Sequence, residues 1–472
     1  MIYQIVRKEI LGNLMSLRFT LSLLLTLFLF AVSSFVFVDN YWEQLDDYWK
    51  KMNGNISDFR EESDQLYKLA FYEQHVYRKP KLLTLCAGGF EESLPGRFVF
   101  NAFSISLPQL AGQSNFVLPR FTDLDWIYIV SLILSFIAFV FSYDSICGER
   151  EKGTLRLMLA GETPRATILL GKYLGLMLTL GISLLLGILV SLVIVITLRV
   201  DMFGFAVWLR IFSLAALSFL YLSIFVFIGL FVSTRTAKSS ISMATLLLVW
   251  VVLIILVPSL GRIFTDRLHR SPSVEEFDRA ISEAIQQVDD DMGAGKFGER
   301  AGARSPDPKA CNPPARARYA NAGADAVNQV IEEHHNKMVA QAFVGRNLTC
   351  ISPAVIYQRA SEAIAGVGIN HIVNIFRQIK QYQGQLKDYI RDVDREDPES
   401  LHLLFDEEHT VAEWNAISKR PVNFESVPKF QERDLAFGQS LKLAIWDIGL
   451  LALFNLVFFA AAFVSFLRYD VR

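Results

Sequence analysis

The sequence predicts an all-α membrane protein: six transmembrane helices, an amphipathic interfacial helix at the N-terminus, and a mostly helical outer domain built from two insertions. Three observations carry this. Hydrophobic residues make up 52% of the 472 and charged residues only 20%. The mean hydropathy of +0.32 is too high for an ordinary soluble domain and excludes a disordered chain. Six stretches also reach the roughly 20 mostly apolar residues that cross a bilayer. The formal charge of −2 argues against a nucleic-acid binder, and four cysteines exclude a disulfide-built scaffold.

The elements follow in order. Residues 1–16 open the chain, and Ile2, Ile5, Val6, Ile10, Leu14 and Leu17 recur at the spacing of an interfacial helix. The first span is 17–38. It is too long for the h-region of a cleaved signal, and Phe35, Phe37, Asp39 and Tyr41 follow instead of a small-residue cleavage site, so it is expected to stay as an anchor. The other spans are 125–143, 168–198, 208–232, 239–259 and 443–467, with a short tail at 468–472. Lys and Arg set the orientation. Arg7, Lys8, Arg18, Arg150, Lys152, Arg156, Arg165, Arg235, Lys238, Arg468 and Arg472 gather on one side, against Arg199 and Arg210 in the opposite short loop. Both termini are therefore expected in the cytoplasm, with the insertions 39–124 and 260–442 outside.

Helical spacing of Val274, Phe277, Ile281 and Ile285 predicts a helix over 271–292. Ser352-Pro353 reads as an N-cap followed by proline at the first helical position, opening a helix that ends near Gly366. A further helix runs over 369–393, with Ile372, Ile375, Phe376, Ile379, Leu386 and Ile390 as its stripe. Residues 293–318 are rich in Gly, Pro, Ala and Arg and read as a mobile loop. The broken apolar stretch 95–121, with Phe98, Val99, Phe100, Phe103, Ile105, Leu107 and Leu110, reads as a strand pair in the outer core, or else as a surface-lying segment at the mouth of a path. Cys86, Cys311 and Cys350 face the outside, and a Cys311–Cys350 disulfide would staple the loop, although spacing alone does not establish connectivity.

The sharpest signal lies in the inner loop 144–167. Glu149, Arg150, Glu151 and Lys152 bring both charge signs into one turn, followed by Gly153, Thr154 and an amphipathic stretch where Leu155, Met158 and Leu159 share a face. Such an element suits docking into a groove on a soluble partner, where rim charges fix register and apolar residues supply burial. Mixed charges near an inner interface are also ordinary by themselves.

The order Gly-Glu-Arg-Glu-Lys-Gly-Thr-Leu (148–155), the Pro164-Arg165 pair, and Leu169-Leu170-Gly171-Lys172-Tyr173 resembles the permease subunits of ABC-2 type transporters, and within them the six-span group named for copper-enzyme maturation. Val6-Arg7-Lys8-Glu9-Ile10 is similar to that family's start, and the resemblance covers all six spans in order. Arg156 stands where such permeases often carry an acidic residue, and the outer insertions are larger than in minimal members. The resemblance implies an exporter half whose loop residues Glu149, Arg150, Glu151, Lys152, Gly153, Thr154, Leu155 and Met158 contact a separate ATP-binding subunit, itself a dimer. It also implies a second copy or related permease and a bacterial inner membrane. ATP and Mg would be bound by the partner.

No Gly-x-x-x-x-Gly-Lys-Ser/Thr phosphate loop occurs, and Gly293-Ala-Gly-Lys is a fragment of one in an outer loop. No enzymatic activity, cofactor or metal site is expected of the chain itself; Glu332-Glu333-His334-His335 reads as a solvated helix face. Polar residues within spans are pathway candidates by default. Asp447 and Asn455 in the sixth span are such, Asp447 having the alternative of a hydrated place at the interface, while Lys172 can snorkel. Another reading makes the chain a non-transporting scaffold, sensor or mechanotransmitting component whose outer domain binds a partner.

Overall fold

The computed structural model describes residues 2–88, 96–106, 124–155, 164–198, 200, 204–260, 274–303, 305, 307, 309–404 and 415–468. The protein is all-α apart from one two-stranded sheet among the described residues. Six helices are long and apolar enough to cross a membrane: Leu17–Glu62, Trp126–Glu151, Arg165–Thr197, Phe205–Arg235, Ser239–Leu260 and Phe437–Leu467. The chain order is α1 (Ile2–Leu14), α2 (Leu17–Glu62), α3 (Leu66–Phe71), β1 (Gln74–Tyr77), α4 (Thr84–Ala87), β2 (Arg97–Phe100), α5 (126–142), α6 (Cys147–Glu151), α7 (Arg165–Thr197) and α8 (Phe205–Arg235). Then come α9 (Ser239–Leu260), α10 (Val274–Gly293), α11 (Pro313–Leu348), α12 (Pro353–Ala365), α13 (Ile369–Arg395) and α14 (Phe437–Leu467).

Hydropathy ends the first span at 38, but α2 runs unbroken through 46 residues, roughly 69 Å at 1.5 Å per residue. Ser16 starts it, its hydroxyl accepting from Phe19 N at 3.2 Å. Beyond the apolar run the helix continues on i,i+4 pairs, Asp46–Lys50 and Asp47–Lys51 at 2.6 Å each. The first insertion is thus carried on a rigid extension of the first span.

The spans are joined by small residues and hydroxyls, the usual means where lipid supplies no hydrophobic drive between helices. α1 lies on α7 at Gly171 and Gly175, where a Cβ would come within 2.8 Å of Ile5 and 2.6 Å of Glu9. Ser191 of α7 meets the Ser34 hydroxyl at 2.5 Å and accepts from Trp126 Nε1 at 3.0 Å. Thr234 and Ser465 join α8 to α14 at 2.7 Å. Two spans contain π segments, Ile129–Leu134 and Val252–Leu256. Each has a carbonyl bonded by a hydroxyl from another helix: Ser131 O accepts from Tyr221 at 2.9 Å, Leu253 O from Ser352 at 2.6 Å.

At the end of the bundle away from the chain termini, α12 packs against α8, α14 and the π segment of α9. Every α12 residue except Arg359 is buried, as expected of a helix enclosed on all sides. Ser352 stands at its N-cap position, but its hydroxyl bonds Leu253 O rather than capping. Gly366 closes α12 at φ 74°, where a Cβ would also meet Arg210 at 2.8 Å.

β1 and β2 pair antiparallel with Gln74 opposite Phe100 and Tyr77 opposite Arg97. Phe98 and Phe100 are buried with Ile375, Phe376 and Ile379 of α13. Of the stretch 95–121 read as a strand pair, 97–100 is a strand, but its partner β1 precedes the stretch; Leu107 and Leu110 lie outside the described residues. Three expectations are corrected. The loop read over 293–318 ends earlier, because Asn312 accepts from Ala315 N at 3.3 Å and starts α11 at Pro313. Cys311 and Cys350 are separate thiols. They flank a helix of 36 residues, roughly 54 Å long, whereas a disulfide needs Cα atoms within about 7 Å. His335 is no solvated face residue: it is 6% exposed and stacks on Phe376 at 4.0 Å between centroids.

Candidate functional site at the chain-terminal end

α6 is fastened to the bundle before any partner is considered. Ile146 N and Cys147 N donate to the Ser233 hydroxyl at 3.0 and 3.1 Å, tying the loop to the last turn of α8. Asp144 accepts from Arg18 at 2.8 Å, and the Arg18 guanidinium lies over the Tyr143 ring at 5.1 Å. This end is drawn to the sixth span by Arg165, which donates to Leu467 O at 2.6 Å.

The sequence-predicted loop residues divide into two sets. Glu149 turns inward. It accepts from Lys172 at 3.1 Å and Lys8 at 3.4 Å, and Lys172 also donates to Glu9 at 2.8 Å. The Lys172 side chain is only 1% exposed, so it is held between two carboxylates instead of snorkelling. Three elements therefore meet at one ammonium: α1 through Glu9, the loop through Glu149, and α7 through Lys172 itself. A buried cation paired on two sides tolerates its desolvation, and loss of either carboxylate unbalances it. Leu155 also turns inward, at 2% exposure, so it packs in the chain's own core rather than on a docking face. Met158 and Leu159 lie outside the described residues.

The other set faces solvent: Arg150, Glu151, Lys152, Gly153 and Thr154. Glu151 has a second task, accepting from Ser239 N at 2.9 Å and from the Ser239 hydroxyl at 2.6 Å. A carboxylate on the first free N–H of α9 satisfies a terminal donor and complements the helix dipole. Gly153 takes φ 75°, and Thr154 donates to Glu149 O at 3.2 Å. The rim is thus folded back onto the backbone of the inward glutamate and, through Glu151, onto the start of α9.

Asp447 and Asn455 lie elsewhere and apart from this site. Asp447 is 6% exposed, which overturns a hydrated interface position, and is paired with Arg359 of α12 at 3.2 Å. Arg359 also donates to Asn347 at 3.2 Å and to Cys350 Sγ at 3.1 Å. Burial pushes the Cys350 thiol up from its ordinary value. Asn455 donates to Leu220 O and Leu451 O at 2.9 Å, and its Oδ1 is buried without a hydrogen-bond partner.

Sequence reasoning missed the role of Lys172 and its link to Glu9. The available signal was a lysine between Gly171 and Gly175 in an apolar run, where glycines let a neighbouring helix approach its stem. It also counted Arg210 as a loop charge. Arg210 is buried, donating to Ile364 O, Leu435 O and, at 3.0 Å, the Ser440 hydroxyl. No curated protein matches the chain. A family model described as ABC-2 family transporter protein matches residues 3–471.

Proposed function

The chain belongs to the ABC-2 transporter family, and we propose that, as its permease subunit, it forms half of an export pathway driven by a separate ATP-binding subunit. The observation that supports this best is the knot at Lys172, which joins the solvent-facing rim 150–154 to α1 and α7 through Glu149. The partner subunit docks on the rim and carries ATP and Mg. Its closure displaces α6, and Glu149 and Glu151 pass that displacement to α7 and α9. Both termini lie in the cytoplasm, the membrane is a bacterial inner membrane, and the insertions stand outside, where they meet cargo or an outer partner.

A second copy, or a related permease, completes the pathway. Exposed Leu21, Phe28, Phe35, Trp42, Trp49 and Ile56 fall at seven-residue steps along α2, the spacing of a helix–helix seam. Beyond the membrane, where lipid no longer covers such residues, another α2 is a fitting cover.

The test separates docking from transmission. Reversing the rim charges, Arg150→Glu with Lys152→Glu, should weaken co-purification of the ATP-binding subunit by about tenfold or more. Glu149→Gln should leave docking intact but lower transport-coupled ATP hydrolysis. An unchanged complex after rim reversal would sink the reading. The continuous α2, reaching from the chain-terminal end into the first insertion, also suits a mechanotransmitting component that moves the insertion without cargo. ATP-dependent passage of cargo into proteoliposomes distinguishes the two.

A further inference from the structure

The π segments Ile129–Leu134 in α5 and Val252–Leu256 in α9 each contain a backbone N–H that reaches five residues back: Ser135 N to Val130 O, and Val257 N to Val252 O. Such a turn interrupts the regular ladder, and helices bend there. Each segment also divides its span into halves with different attachments. Toward the chain-terminal end, α5 leads through Asp144 into α6, and α9 begins at Ser239, which Glu151 of α6 bonds. Both interrupted spans are thus fastened to the rim element by their near halves, 135–142 and 239–251. α7 meets the same element through Lys172 but is α-helical throughout Arg165–Thr197.

The π segments themselves are braced from the other side, by α12. Ser352 stands at the N-cap position yet makes no capping bond, although a serine cap is ordinarily worth about 1 kcal/mol. Its hydroxyl goes to Leu253 O at 2.6 Å instead. The second brace runs through an aromatic pair. Tyr357 of α12 stacks on Tyr221 of α8 at 4.6 Å between centroids, and Tyr221 donates to Ser131 O at 2.9 Å. Ser352, Tyr357 and Tyr221 are all buried. The near halves are tied to each other where they meet their π segments. Trp250 Nε1 donates to Ser135 Oγ at 3.0 Å, and the Phe136 ring lies edge-on to Trp250 at 5.6 Å.

We propose that the two π segments are paired hinges, about which the near halves of α5 and α9 swing as one body with α6 while α12 holds the far halves still. This rests on the rim as the docking place of the ATP-binding subunit and adds which spans bend, and where. α8 is α-helical from Phe205 to Arg235 and does not share the hinge. The swing therefore lengthens the bonds from Ile146 N and Cys147 N to Ser233 in its last turn.

The test is hydrogen exchange of the full chain in detergent, read by mass spectrometry. Amides of both π segments should exchange about tenfold faster or more than those of 176–188 in the uninterrupted α7. Ser352→Ala releases Leu253 O and should raise exchange about fivefold at Val252–Leu256 and, through Trp250, at Ile129–Leu134 as well. Adding Trp250→Phe should confine the rise to Val252–Leu256. Tyr221→Phe keeps the stacked ring, loses the donor to Ser131 O and should give the mirror result from the other segment. π segments as protected as α7, or a rise confined to one segment while Trp250 is present, would overturn the paired hinge. With the ATP-binding subunit bound, a non-hydrolysable ATP analogue should alter exchange in both segments together. A complex that binds the analogue and leaves both unchanged overturns the hinge and not the docking. Failure to recover any complex breaks the docking reading, and the comparison in detergent still decides the hinge.

Discussion

Two buried cations, Lys172 and Arg210, one at each end of the bundle, are held in opposite ways. At the chain-terminal end Lys172 is neutralised by two carboxylates on separate elements, Glu9 of α1 and Glu149 of the loop. At the other end the Arg210 guanidinium is satisfied by neutral acceptors, Ile364 O, Leu435 O and the Ser440 hydroxyl. The difference concerns what can move. A charge–charge contact inside a low-dielectric core changes steeply when one partner shifts. A guanidinium spread over backbone carbonyls holds α8, α12 and the start of α14 in one arrangement. The first is suited to transmission, the second to a fixed frame.

The sharpest way to break that comparison is Lys172→Met. It leaves Glu9 and Glu149 facing each other with no cation between them, and removing one partner of a buried ion pair typically costs about 3–5 kcal/mol. The triple change Glu9→Gln, Lys172→Met, Glu149→Gln removes the three charges of the knot, leaving only the exposed Lys8, and should recover most of the thermal stability in detergent. Its ATP hydrolysis should no longer respond to cargo. If the triple variant is both stable and fully coupled, the knot is mere packing and the contrast between the two ends fails.

Arg210→Met is the matching change at the fixed end and should cost less, about 2–4 kcal/mol. It removes the buried charge itself, leaves the hydrogen-bond acceptors without a donor, and leaves the nearby Asp434 still paired with Lys81 at 2.7 Å. Because Arg210 itself holds this frame through neutral hydrogen-bond acceptors, the variant should melt earlier while the remaining folded protein keeps normal coupling. Loss of coupling at full stability would assign Arg210 to transmission and erase the distinction.

How much of this was legible in the sequence follows from range. Hydropathy finds the apolar stretches because each is a property of about 20 consecutive residues. It does not find the continuity of α2, since the helix persists past Val38 on local ion pairs while the hydropathy falls. The start of α11 was written in Asn312-Pro313-Pro314, a cap followed by proline, but the Gly and Pro content of the flanking residues outweighed it. The rim 150–154 could be read because its charges are contiguous. The inward turn of Glu149 could not, because its partner Lys172 lies on a separate helix and the two meet only through tertiary packing. Leu155 illustrates the same limit, since an apolar residue on a loop reads equally as a docking contact or as core.

A third treatment of a titratable group sharpens the comparison further: His335 is buried and kept neutral. It is stacked on Phe376, and its pKa is held down to about 4 by burial first and by His334 second. The unfolded ring takes up a proton near pH 6.5, whereas the folded one does so only near pH 4. The unfolded state therefore binds more protons between these values, and stability rises with pH across the window. The contribution is complete above about pH 6.5 and is lost as pH falls toward 4. Between pH 7 and pH 5 the loss should reach about 2 kcal/mol. Other groups titrate there too, so the measurement is a difference of differences: thermal melts of the full chain in detergent at both pH values, parent against His335→Gln. The variant should lose less stability than the parent on acidification. Equal losses would mean that the folded imidazole accepts its proton at the ordinary pH, and that the contact with Phe376 does not exclude the charged form.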